Sequence, residues 1–233
     1  MTDSNKDAAV QDKLEEFVSE KRLQRLESVL STRTTSLTVV LDDVRNGHNI
    51  SAVLRSADTF GLVDIHLVGK PPFDFSRGVS LGSERWMRLH HHHSPASAIQ
   101  ILKSTNFKLA ALQSEEISAR YNKPSLSVCD LPFKERLALV FGNEHSGLSD
   151  EFLQAADYFA HIPMLGFAES LNVSVACAIC LFLSNLKKAE FERQPAMLSD
   201  LERNGLRTEW LTASIPNGES VLREVEERLS KSK

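Results

Sequence analysis

Small polar residues that could hold a ligand stand at the start of a long apolar pattern in the second half of the chain. An apolar run from Tyr158 to Ile162 stops at Pro163, and a loop that contains glycine follows. Ser170, Asn172 and Ser174 then open an apolar helical pattern, which predicts a strand, a loop and a buried helix. Because the first N–H groups of a helix lack partners, such side chains can cap them while the loop's main chain binds a polar cofactor.

Asn49 and Arg55 bracket another predicted helix, which follows a buried strand from Ser36 to Leu41. Arg55 is permanently charged and offers a planar fork of donors suited to phosphate, although it could also be an ordinary surface arginine. Asn49 lies about 120° from Arg55 around the helix axis. Asn49 could therefore contact a different part of the site from Arg55, or it could be a plain helix cap.

A glycine-rich turn begins at Gly142, directly after a second buried strand from Arg136 to Phe141, and a helix is predicted from about Ser149. Ligands of parallel sheets gather at the carboxyl ends of the strands, where such turns lie. Neither G-x-G-x-x-G nor G-x-x-x-x-G-K-[ST] is present, so the pattern does not favour a dinucleotide or a P-loop nucleotide site.

The elements that must position these residues alternate between strand and helix, which predicts an α/β fold with a parallel sheet. Further strands are predicted at Ile65–Val68 and Lys108–Leu112, with a helix at Ala96–Ser104. The stretch from Lys70 to Pro95 is long and irregular, and Glu115–Pro132 reads as a polar loop.

Two side-chain clusters suggest metal or redox chemistry but are better explained otherwise. The run from His90 to His93 fits a strand, because adjacent histidines point in different directions and no carboxylate or cysteine has ligand spacing. Cys177 and Cys180 form a C-x-x-C inside the apolar helix, where free thiols behave as small hydrophobic groups. We therefore predict no metal site.

Both ends of the chain are predicted to be helical extensions. Residues from about Lys13 to Leu30 form an amphipathic pattern with a basic patch at Lys21, Arg22 and Arg25, which suits either RNA docking or a solvated helix. After the apolar helix, expected to end near Arg193, Pro195 breaks the pattern, and the remainder carries helical apolar spacing without a catalytic signature.

Composition is that of an ordinary globular protein, with 233 residues, 42% hydrophobic and a formal net charge of −4. A nucleic-acid partner would therefore need a clustered basic face. The polar N-terminus, the absence of a long apolar segment and three cysteines favour a cytoplasmic protein without a membrane span.

Three stretches, taken together, resemble the SPOUT class of RNA methyltransferases. They are Asn49–Arg55 (NISAVLR), Phe141–Gly147 (FGNEHSG) and Ile162–Ala176 (IPMLGFAESLNVSVA), and they occur in the order of that class. Within it, Leu37–Gly61 and Ser80–Trp86 are most similar to the SpoU/TrmH family of ribose 2'-O-methyltransferases. Each motif alone is weak, but the ordered set is specific.

The resemblance implies a SPOUT-type parallel sheet with a deep C-terminal trefoil knot and helical extensions at both ends. The expected boundaries are residues 1–33 for the N-terminal extension, 34–193 for the methyltransferase domain and 194–233 for the C-terminal extension. It also implies a homodimer.

The implied reaction is methyl transfer from S-adenosyl-L-methionine to the ribose 2'-hydroxyl of a tRNA guanosine, guanosine 18 of the D-loop. Arg55 matches the family's catalytic arginine, and Asn49 would orient it across the dimer interface. A ribosomal RNA substrate, or a knotted dimer that only binds RNA, are the alternatives. The positions expected to bind the cofactor are Ala111, Leu112, Gly142, Glu144, Gly147, Ile162, Met164, Ser170, Leu171 and Asn172.

Overall fold

A computed structural model describes residues 3–71, 73, 75–190 and 198–231. Two compact units are present: Met1–Arg33 together with Met197–Lys233, and Thr34–Ala196. The helices are α1 Asp3–Glu15, α2 Glu20–Leu30, α3 Gly47–Thr59, α4 Arg77–Ser80, α5 Pro95–Ser104, α6 Glu115–Arg120, α7 Asp150–Ala155, α8 Val173–Glu190, α9 Asp200–Ser214 and α10 Gly218–Lys231. The strands are β1 Leu37–Asp42, β2 Asp64–Val68, β3 Arg88–His92, β4 Lys108–Leu112, β5 Ser125–Ser127, β6 Leu137–Phe141 and β7 Tyr158–His161.

The larger unit is built on a seven-stranded sheet in the order β3-β2-β1-β6-β4-β7-β5. Each neighbouring pair is parallel, which confirms the predicted α/β class. Leu112 pairs with Phe141 on one side and with Ala160 on the other. The loops that leave β6, β4 and β7 therefore emerge side by side at one edge of the sheet.

Helices cover both faces of the sheet, so the central strands are buried on both sides. Val39 and Leu41 of β1 point into one apolar cluster, which includes residues of α3 and α8. Val40 points into a second cluster, which includes residues of α5 and α7. This burial explains why β1 and β6 have continuous apolar sequences rather than alternating ones.

The smaller unit packs α1, α2, α9 and α10 together, and a half-buried ion network joins three of them. The Arg207 guanidinium of α9 contacts Glu15 of α1 at 2.6 Å and Glu27 of α2 at 2.5 Å. It also donates to Oε1 of Gln11 at 2.9 Å. At the start of α9, Ser199 and Glu202 form a reciprocal capping box.

The single amphipathic helix predicted from Lys13 to Leu30 is wrong, because α1 ends at Glu15 and α2 begins at Glu20. Ser19 has an extended backbone at the N-cap of α2, so the chain leaves the first helix there and starts a second. Leu14, Leu26 and Leu30 are nevertheless buried, as the apolar spacing indicated.

Two further expectations need correction. The polar loop predicted for Glu115–Pro132 contains α6 and the short strand β5, which pairs with β7; tertiary pairing outweighs the weak local pattern. The helix predicted to start at Ser170 starts at Val173, and its predicted end at Arg193 lies outside the described residues. Among the described helices, none has the length and hydropathy needed to cross a bilayer.

Candidate active site

Asn49 joins the three motif regions through its side chain. Asn46 caps α3 by accepting from the N–H of His48 at 2.9 Å, which fixes Asn49 in the first turn. Nδ2 of Asn49 donates to Oε1 of Glu144, and Nδ2 of Asn172 donates to Oδ1 of Asn49 at 3.0 Å. The amide of Asn49 is therefore engaged, at both polar atoms, by residues of its own chain.

The turn after β6 holds Glu144 in place through its backbone. Asn143 and Gly147 exchange two backbone hydrogen bonds, of 3.0 and 2.9 Å, and the Asn143 side chain donates to the carbonyl of Asp43 at 2.8 Å. Gly142 lies against this closure so tightly that a Cβ there would stand 2.3 Å from the carbonyl carbon of Gly147. Gly147 has a left-handed backbone, with φ of +70°. The glycines are thus required by the shape of the turn.

Asp42 also stabilises the chain that follows this turn, and the sequence analysis did not single it out. Its carboxylate, at the end of β1, accepts from the N–H of Ser149 at 2.7 Å. Burial raises the pKa of the Asp42 carboxyl, while the hydrogen bond from the Ser149 backbone lowers it. A carboxylate at the carboxyl end of a largely apolar strand was the available signal.

The loop between β7 and α8 offers main-chain groups to a ligand. In this fully described part of the chain, residues 162–171 make no hydrogen bond through their backbone. Leu165 and Phe167 are fully exposed. Asn172 ends the loop by capping α8, since its Oδ1 accepts from the N–H of Ser174 at 2.9 Å and from its hydroxyl at 2.6 Å.

The structure places the remaining predicted cofactor positions around the same sheet edge, with different exposure. The side chain of Ala111 is buried in the core, so only its backbone could face a ligand. Leu112 and Ile162 are half-buried, whereas Met164, Ser170 and Leu171 are exposed.

Arg55 is not brought into contact with Asn49. Its side chain is exposed on α3, and within the described residues its guanidinium has no hydrogen bond or ion pair. Next to it, an apolar groove of about 460 Å³ lies between α3 and α8, lined by Ala52, Ser56 and Phe60 on one side and by Val175 and Phe182 on the other.

The first three histidines of the run, His90 to His92, lie in β3, as predicted, and the strand forms a side-chain network with β2. Nδ1 of His66 lies 2.8 Å from Nε2 of His92, and His90 contacts Asp64 at 2.7 Å. Burial lowers the pKa of His66 to about 3, and the nearby His90 and His92 side chains contribute to this shift to a smaller extent. Across the described ranges, no group of three or more His, Cys, Asp or Glu side chains is arranged to hold a metal ion.

Cys177 and Cys180 are buried in α8, which confirms their interpretation as core thiols. Burial raises the pKa of the Cys180 thiol to about 12, so this thiol is protonated at neutral pH. In the smaller unit, Lys21, Arg22 and Arg25 are exposed on α2.

Residues 36–182 match the model of the SpoU rRNA methylase family, a span that contains Asn49, Arg55, the glycine turn and the β7–α8 loop. The chain belongs to the SpoU rRNA methylase family. The predicted resemblance is thereby confirmed. A tRNA (guanosine(18)-2'-O)-methyltransferase of Borreliella burgdorferi is 33% identical over 207 residues, which cover 88% of this chain and 90% of that protein.

Two solved structures share the fold. The A. aeolicus TrmH/SpoU tRNA modifying enzyme superposes with a TM-score of 0.74 at 31% identity, over 84% of this chain and 98% of that one. An AdoMet-bound rRNA methyltransferase from Sinorhizobium meliloti gives a TM-score of 0.59 at 26% identity, over 67% of this chain and 58% of that one.

Proposed function

We propose that this protein transfers a methyl group from S-adenosyl-L-methionine to the ribose 2'-hydroxyl of guanosine 18 in the tRNA D-loop. The observation that carries the proposal is the hydrogen-bonded junction of Asn49, Glu144 and Asn172, which joins one residue from each family motif beside the unpaired backbone of residues 162–171. The B. burgdorferi relative, similar along nearly its whole length, carries this activity in its name.

The residues at the sheet edge fit the cofactor. A loop whose backbone N–H and C=O groups are unpaired can bind an adenine edge and ribose hydroxyls, and the adjacent apolar side chains can cover the ring. S-adenosyl-L-methionine supplies an electrophilic methyl group when bound. The residues that would hold it are Ala111, Leu112, Gly142, Glu144, Gly147, Ile162, Met164, Ser170, Leu171 and Asn172.

Arg55 would bind and polarise the ribose and its phosphate. A ribose hydroxyl is a weak nucleophile at neutral pH, so its negative charge must be stabilised as it develops. A guanidinium is always protonated and presents five N–H donors, so it can stabilise an alkoxide but cannot accept the proton. The exposed, unpaired guanidinium of Arg55 is free for this task within the described chain.

A homodimer and a trefoil knot belong to the same proposal. The groove between α3 and α8, whose lining residues Val175 and Phe182 are exposed, is an apolar surface that a second copy could cover. The knot is proposed from the family membership, and α8 shares one apolar cluster with Val128, Leu131 and Phe133, which follow β5. In such a dimer Asn49 would orient Arg55 across the interface while keeping its bonds to Glu144 and Asn172.

The helical unit would add affinity for tRNA through the exposed basic residues Lys21, Arg22 and Arg25 of α2. This local patch would offset the negative net charge of the chain. A tRNA substrate would place the enzyme in the cytoplasm.

The test is mass mapping of nucleosides after incubation of the protein with unmodified tRNA and S-adenosyl-L-methionine. We expect 2'-O-methylguanosine at position 18 with the wild type and none above background with Arg55→Ala. A ribosomal RNA fragment in the same assay tests the second candidate function, methylation of ribosomal RNA, which the description of the matching family favours. Methylation of that fragment alone would overturn the tRNA assignment, and no methylation of either RNA would overturn the reaction.

A further inference from the structure

His161, the last residue of β7, is contacted at both nitrogens of its ring. Nδ1 forms a hydrogen bond of 2.9 Å with the hydroxyl of Ser125, at the start of β5. Nε2 lies 2.8 Å from Oε1 of Glu115, the first residue of α6. The ring therefore joins the end of β7 to β5 on one side and to α6 on the other.

The His161–Glu115 contact bridges two of the loops to which the proposed function, on which this inference rests, assigns the cofactor. Ile162 follows His161 directly, and Leu112 lies three residues before Glu115. The two strands are neighbours, because Leu112 of β4 pairs with Ala160 of β7. The contact therefore spans the rim of the candidate site between the loop after β4 and the loop after β7.

Residues 113–121, which follow β4 and contain α6, form a segment that we call the β4–α6 segment. Its far end is well anchored. The hydroxyl of Tyr121 donates to Oδ1 of Asp150 at 2.6 Å, and the Tyr121 ring lies 6.0 Å from the ring of Phe159. This end therefore stays attached to α7 and β7.

The near end of the β4–α6 segment is held by fewer contacts. Ser114 makes no capping bond with its side chain. Across residues 113–116, all of which the structure describes, Glu115 makes the one polar side-chain contact to another element. The Glu115 side chain is 70% exposed and that of His161 is 18% exposed. Because the carboxylate is already largely in water, this contact can break at small cost.

Gln113, beside this contact, carries an acceptor that a ligand could satisfy. Its Oε1 is buried and has no hydrogen-bond donor among the described residues, while its Nε2 donates to the hydroxyl of Ser118 at 3.1 Å. A buried acceptor without a donor is unfavourable. A bound group with N–H or O–H donors would therefore stabilise the closed segment, and the amino groups and ribose hydroxyls of S-adenosyl-L-methionine are such donors.

We propose that His161 and Glu115 are positioning residues that hold the β4–α6 segment closed against the loop after β7 and thereby slow the dissociation of the cofactor. While the contact is intact, the first turn of α6 stays tied to the residue before Ile162. When it breaks, the segment turns away about its anchored end at Tyr121. The same step governs release of the demethylated product, S-adenosyl-L-homocysteine, which keeps the adenosine group of the cofactor.

Two pairs of variants separate this contact from its surroundings. Glu115→Ala is compared with the matched control Glu116→Ala, whose carboxylate is 82% exposed and contacts Arg120 of the same helix at 3.5 Å. His161→Asn places an amide where Nδ1 contacts Ser125 but does not reach Glu115. His161→Gln places an amide donor at the position of Nε2 and keeps the contact with Glu115.

Calorimetry and stopped-flow displacement measure the binding of S-adenosyl-L-methionine and S-adenosyl-L-homocysteine. For Glu115→Ala and His161→Asn we expect both dissociation constants to rise about fivefold through faster dissociation, within the range for a partly exposed charged contact. Glu116→Ala and His161→Gln should stay within twofold of wild type. Single-turnover methylation of unmodified tRNA at saturating cofactor should stay within twofold in all four variants, because the contact does not act on the transferred methyl group.

Hydrogen exchange without cofactor gives a readout that is independent of binding. The backbone amides of residues 113–118 should exchange faster in Glu115→Ala than in wild type, and Glu116→Ala should match wild type. Equal exchange in Glu115→Ala and wild type would mean that the contact does not hold the segment closed.

Two binding results would also overturn the role of the contact: an affinity of Glu115→Ala within twofold of wild type, or an equal loss in Glu116→Ala. A single-turnover rate that falls as much as the affinity would overturn it as well, because the contact would then act in the chemical step. If wild type binds neither S-adenosyl-L-methionine nor S-adenosyl-L-homocysteine, the proposed function itself fails, which distinguishes the two failures.

Discussion

The side-chain amide of Asn172 donates a hydrogen bond to Oδ1 of Asn49 over 3.0 Å, joining residues 123 positions apart. It connects the first turn of α3 to the cap of α8, because Oδ1 of Asn172 also accepts from the N–H of Ser174. One side chain thus sets both the end of the β7–α8 loop and the position of Asn49.

This bond predicts a measurable coupling between Asn49→Ala and Asn172→Ala. Each variant should weaken the binding of S-adenosyl-L-methionine about tenfold, because each frees Glu144 or the start of α8 to move. The double variant should lose less than the sum, with a coupling of about 1 kcal/mol by calorimetry. Ser174→Ala, which keeps the backbone bond to Asn172, is the control. Strict additivity would contradict a direct link.

Gly142→Ala should open the turn that carries Glu144. The added Cβ would stand 2.3 Å from the carbonyl carbon of Gly147 and 2.4 Å from the nitrogen of Leu148, and both are backbone atoms that cannot rotate away. We expect a loss of about 2 kcal/mol in the free energy of unfolding and at least a tenfold loss of cofactor affinity. Denaturant unfolding and calorimetry measure the two effects.

Two other glycines provide graded controls for that variant. Gly147→Ala meets no atom within 4 Å but must adopt φ of +70°, which costs about 1 kcal/mol. Gly78→Ala, on α4, meets neither obstacle and should leave both affinity and stability unchanged. A Gly142→Ala protein as stable as Gly78→Ala would show that the turn can relax.

The sequence predicted the sheet well because β1 and β6 are largely apolar and are buried along their whole length, a pattern typical of central parallel strands. It missed β5, whose three residues Ser125 to Ser127 become a strand only by pairing with β7. Its helix start at Ser170 was three residues early, because small polar residues are equally suited to a loop and to a cap.

The sequence identified the motifs that form the candidate site, but it did not predict the contacts between their side chains. The sequence grouped Asn49, Glu144 and Asn172 only through resemblance, since no periodicity relates residues so far apart. Asp42 and its bond to Ser149 were missed, because an aspartate after a strand reads as the start of a turn. Hydrogen bonds between distant loops depend on the folded sheet that brings them together.

The basic patch on α2 predicts a salt-dependent contribution to tRNA binding. Replacing Lys21 and Arg25, four residues apart on one face, with alanine should weaken binding and reduce the slope of log affinity against log salt by about one per lost phosphate contact. Binding of the cofactor should be unchanged. Arg223→Ala, an exposed arginine of α10 in the same unit, is the matched control. An unchanged slope in the Lys21/Arg25 variant would show that these side chains make no phosphate contact and that α2 is a solvated helix.

His66 predicts an acid-sensitive fold. Burial lowers its pKa to about 3, below the value of about 6.5 for an exposed imidazole, so the unfolded chain binds a proton that the folded chain excludes. The contribution of His66 to the free energy of unfolding is therefore fully present above pH 6.5. It falls as the pH drops from 6.5 towards 3, by up to about 1.4 kcal/mol per pH unit.

The variant His66→Asn tests this directly, because an amide can replace Nδ1 in the 2.8 Å contact with His92 without titrating. Its free energy of unfolding, from urea denaturation at several pH values, should fall less steeply than that of wild type between pH 6.5 and pH 4. His93→Asn removes an exposed histidine one residue beyond β3 and should retain the wild-type slope. Equal slopes in wild type and His66→Asn would mean that the His66 imidazole accepts a proton in the folded protein as readily as in the unfolded one.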